Sequence, residues 1–123
     1  MARITVVDDD RSYLEIVSEA LAPEGHEVTT CADPDAALAC IRDASPDLLL
    51  LDVRMDTPSR GWSLLESLQE DGVHAPMRII ICTADARQLR GREAWLESRG
   101  VSFLEKPFDL NALFALVEDL LPQ

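Results

Sequence analysis

Five residues in this chain of 123 have the right types to move a phosphoryl group between them: Asp8, Asp9, Asp52, Thr83 and Lys106. Three carboxylates gathered within a few ångströms would repel and raise one another's pKa. A bound divalent cation removes that repulsion. Ligands that are all oxygen favour a hard ion, and Mg²⁺ accepts two carboxylates, a carbonyl and several waters. Lys106 would then place a compact charge against a phosphoryl oxygen, a task that suits ammonium better than guanidinium. Thr83 could donate a hydrogen bond to another oxygen. With charge neutralised on several sides, Asp52 reads as the nucleophile and an aspartyl phosphate as its product.

These residues are scattered along the chain, so a fold must gather them. Short apolar runs alternate with segments of helical period. Arg3–Val7, Val28–Cys31, Asp47–Leu51, Arg78–Cys82 and Val101–Leu104 read as strands. Leu48–Leu51 and Ile79–Ile81 are apolar at every position, as in strands covered on both faces of a parallel sheet. Helices are expected over Arg11–Ala22, after the N-cap Asp33 with Pro34 in the first helical position, over Trp62–Glu70, over Ala86–Arg99, and from Leu110 to Leu121. The fourth is the weakest, with few apolar residues and Gly91 in its interior.

Strict alternation predicts an α/β fold, a doubly wound, five-stranded parallel sheet of the flavodoxin-like (βα)5 kind in strand order 2-1-3-4-5. In such sheets the site lies outside the carboxyl ends of the strands. Asp8-Asp9 follow strand one, Asp52 follows strand three, Thr83 follows strand four, and Lys106-Pro107 follow strand five. Each piece alone has a plainer meaning. Asp8–Asp10 can be a turn with a helix N-cap, Thr83 a cap, and Lys106 an exposed lysine before a turn proline. Their joint occurrence at four strand ends is what points to one site.

At these residues the chain resembles a receiver domain of the two-component response-regulator family. The resemblance rests on Val6-Val7-Asp8-Asp9, Leu50-Leu51-Asp52-Val53-Arg54-Met55, Cys82-Thr83-Ala84 and Lys106-Pro107-Phe108, and it runs from Arg3 to about Leu121. It implies that Asp52 accepts phosphate from a phosphohistidine on a sensor kinase or phosphotransfer protein. It implies that Asp9 holds Mg²⁺ directly, Asp8 through water, and the Arg54 backbone carbonyl as a further contact. Thr83 and Lys106 would contact the phosphoryl group. Phe103 matches the aromatic switch position, and the Lys106–Pro107 bond is expected cis. The output surface would be the fourth helix, fifth strand and fifth helix, signalling to an output domain or effector protein. A homodimer formed on phosphorylation is compatible with this, although no specific residue supports it.

The loop after Asp52 departs from the family pattern. Asp56 stands where proline is usual, one residue is extra, and Arg60 replaces the usual Asp or Asn before Gly61. Asp56 reads as solvated. Arg54 and Asp85 flank the expected site and are expected to pair across its mouth. His26 and His74 read as surface residues. Two other readings compete. A haloacid-dehalogenase-type phosphatase would carry a second Asp two residues after the nucleophile, where this chain has Arg54. A receiver-like binding module without phosphorylation would not need the full set of five.

Composition bounds the rest. There are 23 acidic residues against 11 basic ones, a net charge of −12, and Lys106 is the only lysine. That balance argues against a nucleic-acid surface and against docking on anionic lipid. No apolar run approaches the roughly 18 residues of a membrane span. Cys31, Cys40 and Cys82 lack metal-type spacing and read as reduced thiols of a cytoplasmic protein. One domain over residues 1–123 is expected.

Overall fold

A computed structural model of the chain describes residues 2–71 and 77–121. Five strands, β1 (Arg3–Val7), β2 (Glu27–Cys31), β3 (Leu48–Asp52), β4 (Arg78–Thr83) and β5 (Val101–Glu105), form one parallel sheet in the order β2-β1-β3-β4-β5. The helices are α1 (Arg11–Leu21), α2 (Ala37–Ala44), α3 (Arg60–Asp71), α4 (Glu93–Ser98) and α5 (Leu110–Leu120). The all-apolar strands divide by the two-residue period. Leu49, Leu51, Ile79 and Ile81 face one way with Ala37, Ile41, Leu65, Leu68 and Leu96. Leu48, Leu50, Ile80 and Cys82 face the other way with Leu14, Val17, Leu21, Leu113 and Val117. So α2, α3 and α4 cover one face, and α1 and α5 the other. Both faces bury apolar area, which is why these strands tolerate no polar alternation.

Every strand boundary falls within a residue of that predicted, and β3 is the informative shift. Asp47 lies outside it and uses its side chain and backbone on Arg3: Arg3 N donates to Asp47 Oδ2 at 2.9 Å, and Asp47 N donates to Arg3 O at 2.8 Å. Asp52 falls inside the strand instead, in register with Cys82.

The expected fourth helix over Ala86–Arg99 is corrected. A 3₁₀ turn spans Ala86–Gln88, and α4 itself has only six residues. Asp85 caps that turn by accepting from Arg87 N, and Gly91 then adopts φ +76, a left-handed conformation that no continuous helix contains. The second helix likewise opens as a 3₁₀ turn over Pro34–Ala36 beneath the Asp33 cap, with α2 beginning at Ala37. The third begins at Arg60, two residues before Trp62. His26 is half-buried rather than a surface residue, and its Nδ1 is shut away from solvent. His74 lies outside the described residues. Cys31, Cys40 and Cys82 are free, and burial pushes the Cys82 thiol up to about 12, leaving it inert.

Candidate functional site

The chain leaves β1 for β2 on one side and reaches β3 on the other, so the crevice above β1 and β3 is the switch point of the sheet. Asp8, Asp9 and Asp52 meet there. Each offers a carboxylate oxygen, and these oxygens all lie within 4.8 Å of one another.

The three consecutive aspartates do different things. Asp8 is 1% exposed; its backbone N–H donates to Cys31 O at 3.1 Å, and its Oδ1 accepts from Asp10 N at 3.0 Å. Asp9 is exposed above it. Asp10 caps α1, accepting from Tyr13 N at 3.2 Å. The N-cap role thus falls to Asp10, while Asp8 and Asp9 cluster with Asp52.

Asp52, at 7% exposure, accepts from Arg54 N at 3.2 Å through Oδ1. Burial pushes its carboxyl up to about 7; the Asp8 and Asp9 charges push the same way, and Lys106 opposes them. A group so placed gains from any added positive charge. The all-oxygen donor set and its mutual repulsion fit a hard divalent cation.

Lys106 enters from the far side. Its Nζ lies 2.6 Å from Asp8 Oδ2 and 3.9 Å from Asp52 Oδ2. The Lys106 backbone is anchored to β4, donating from N to Thr83 O at 2.8 Å, and the Lys106–Pro107 peptide is cis as expected. Thr83 is fully buried, and its Oγ1 accepts from Asp85 N at 3.1 Å. A cleft of about 390 Å³ opens over Asp52, bounded by Arg54, Thr83, Asp85, Arg87 and Lys106.

Arg54 and Asp85 pair across this cleft at 3.3 Å. Asp85 is shared, since Arg87 Nε also reaches it at 3.1 Å, and that hydrogen bond chiefly holds its carboxyl below the usual carboxylate range. The unusual loop is tied down by Arg60, which pairs with Asp56 at 3.1 Å and with Asp35 beside α2. Asp56 is thus an exposed loop residue paired to Arg60. Gly61 closes the loop: its N donates to Val53 O at 2.9 Å, and a Cβ there would sit 2.4 Å from the Asp52 carbonyl oxygen.

Phe103 is half-buried against the core on the α4 side, in register with Ile81. Two features escaped the sequence reading. The Tyr13 ring lies under the Lys106 ammonium, 3.8 Å from it. Trp62 and Trp95 meet edge to face at 6.3 Å between α3 and α4, and Trp62 Nε1 donates to Gln88 Oε1 at 2.8 Å. Tyr13 had one usable signal, its place on the first turn after the Asp10 cap.

Residues 4–118 match the family model described as the response regulator receiver domain. The response regulator PleD of Caulobacter vibrioides is 37% identical over 120 residues, covering 97% of this chain and 26% of that protein. The chain spans about a quarter of the length of its leading curated relatives. Among solved structures, the chemotaxis protein CheY4 of Vibrio cholerae is 27% identical with a TM-score of 0.83, covering 98% of this chain and 99% of that one. The response regulator TrrA of Thermotoga maritima, solved in complex with Mg²⁺-BeF, is 28% identical with a TM-score of 0.80, covering 98% and 100%.

Proposed function

The chain belongs to the response regulator receiver domain family of two-component signalling, and on that premise we propose that Asp52 is its phospho-acceptor. The observation that carries this is the convergence of Asp8, Asp9 and Asp52 with the Lys106 ammonium in one crevice. An Asp52 oxygen attacks the phosphorus of a phosphohistidine on a sensor kinase or phosphotransfer protein. The P–N bond breaks, a P–O bond forms, and the imidazole leaves with the electron pair. Asp8, Asp9, Asp52 and the Arg54 backbone carbonyl would hold Mg²⁺. The ion supplies positive charge that offsets the crowded carboxylates and the phosphoryl oxygens. Lys106 swings from Asp8 to a phosphoryl oxygen, and Thr83 turns its hydroxyl from Asp85 N toward another.

The chain catalyses only its own phosphorylation and a slow hydrolysis of the product. The pull on Thr83 passes into the segment before α4, the least regular helix of the fold, with Phe103 packed beside it. The surface of α4, β5 and α5 then signals to an output domain or effector protein, in the cytoplasm. Residues 1–123 form one such domain. Among the described residues no helix is long and apolar enough to cross a membrane.

Intact mass after incubation with Mg²⁺ and acetyl phosphate tests this reading. One labile phosphate per chain, lost in Asp52→Asn, is expected. Turnover of many donor equivalents without an adduct would favour a phosphatase, and no adduct with any donor a pure binding module.

A further inference from the structure

We propose that Tyr13 is a positioning residue for Lys106, its ring face carrying the ammonium between Asp8 and Asp52. Lys106 Nζ sits 3.8 Å from the ring centroid, 2.6 Å from Asp8 Oδ2 and 3.9 Å from Asp52 Oδ2. The Lys106 side chain is only 17% exposed, so the ring takes the place of water on one side of the charge. An aromatic face attracts a cation through its quadrupole without binding it at one point. A carboxylate, by contrast, holds it at one oxygen. The ammonium can therefore move from Asp8 toward Asp52 while keeping the ring beneath it.

Tyr13 is built to stay still. Asp10 fixes its backbone at the start of α1. Phe108, two residues beyond Lys106, meets its ring edge-on at 6.4 Å and 89°. Lys106 and Phe108 thus both bear on one ring, which ties the loop after β5 to α1. The hydroxyl is buried beside Cys82 and makes no hydrogen bond of normal geometry. The ring is what acts, so phenylalanine should replace it.

This rests on the reading of Asp52 as phospho-acceptor for its consequence, but the contact can be measured without it. Lys106 is the only lysine, so isotope labelling of lysine gives a single side-chain signal. We expect its Cε protons to be shifted upfield by the ring in the wild-type chain and in Tyr13→Phe, and to lose the shift in Tyr13→Leu and Tyr13→Met. With Mg²⁺ and acetyl phosphate the P–O bond to acetate breaks, the bond to an Asp52 oxygen forms, and acetate leaves. The rate constant for that step should fall about five- to thirty-fold in Tyr13→Leu, the range of a partly desolvated cation–π contact. Its dependence on donor concentration should be unchanged, and Tyr13→Phe should match the wild type. In a Lys106→Ala background, Tyr13→Leu should cost nothing further. Unshifted Lys106 protons in the wild type, or equal losses in both backgrounds, would overturn the proposal. A wild-type chain that takes up no phosphate would instead sink the phospho-acceptor reading.

Discussion

Arg54 Nη1 lies 3.3 Å from Asp85 Oδ2, so one ion pair joins the loop after β3 to the loop after β4 above Asp52. Asp85 does not depend on it, because Arg87 holds the same carboxylate through its side chain and backbone. Removing Arg54 should therefore open the cleft without unfolding its rim. The Arg54 side of the pair is exposed, so solvent screens the interaction and keeps it weak. Arg54→Ala should raise both phosphorylation by a small donor and hydrolysis of the product, by roughly two- to fivefold. Phosphate uptake and loss followed by intact mass would check it, and unchanged rates would show that the pair does not gate access.

Asp52 should lower stability in a pH-dependent way when no metal is present. Its carboxyl titrates at about 7 in the fold and near 3.8 when unfolded. Between those values the folded chain keeps a proton that the unfolded chain releases, so stability falls as pH rises through that window. Below it the cost is absent, and above it the cost is complete, about 2–4 kcal/mol. Asp52→Asn should match the wild type near pH 4 and exceed it at pH 8. Urea unfolding in chelator at both pH values would measure this, and a gap independent of pH would contradict it.

Magnesium should reverse that penalty. At 10- to 100-fold excess over its dissociation constant, a ligand that binds only the folded state adds about 1.4–2.7 kcal/mol. Thermal unfolding should shift upward with MgCl₂ and return with EDTA. Asp9→Asn removes an exposed carboxylate of the cluster and should abolish most of the shift with little change in metal-free stability. A shift equal to the wild type would exclude Asp9 from the metal site.

Gly61→Ala should be among the most damaging single-methyl additions. The new Cβ would lie 2.2 Å from Val53 Cα and 2.4 Å from the carbonyl oxygen of Asp52. Both are backbone atoms of the segment that carries Asp52, so neither can swing aside. A loss of about 3 kcal/mol or more is expected, together with slower phosphorylation of whatever remains folded. Thermal unfolding is the direct measure.

The fold was legible because burial on both faces leaves a mark in the chain. Leu48–Leu51 must satisfy α1 and α5 on one side and α2 and α3 on the other, so every position is apolar. The convergence of the candidate site residues was legible because parallel sheets bring their strand ends to one edge, and Asp8, Asp52, Thr83 and Lys106 all stand there. What stayed hidden depends on neighbours distant in sequence or on backbone angles. Nothing in the spacing says that Lys106 rests on Tyr13, or that Arg60 reaches Asp35. The break before α4 turns on Gly91 adopting a positive φ, which a helical pattern of apolar residues does not reveal. His26 does lie in a loop, as expected, yet the fold half-buries it.

The short α4 bears on how the molecule comes apart. Its six residues follow a left-handed glycine and offer few backbone hydrogen bonds, while the β3–β4 pairing beside it is continuous from Leu48 to Asp52. Amide protons of residues 86–99 should exchange with solvent through local openings, and those of β3 only through global unfolding. On the proposed reading, the segment to be remodelled and the frame that holds the site would belong to different cooperative units, so a modest free energy from phosphorylation of Asp52 would melt one and leave the other standing.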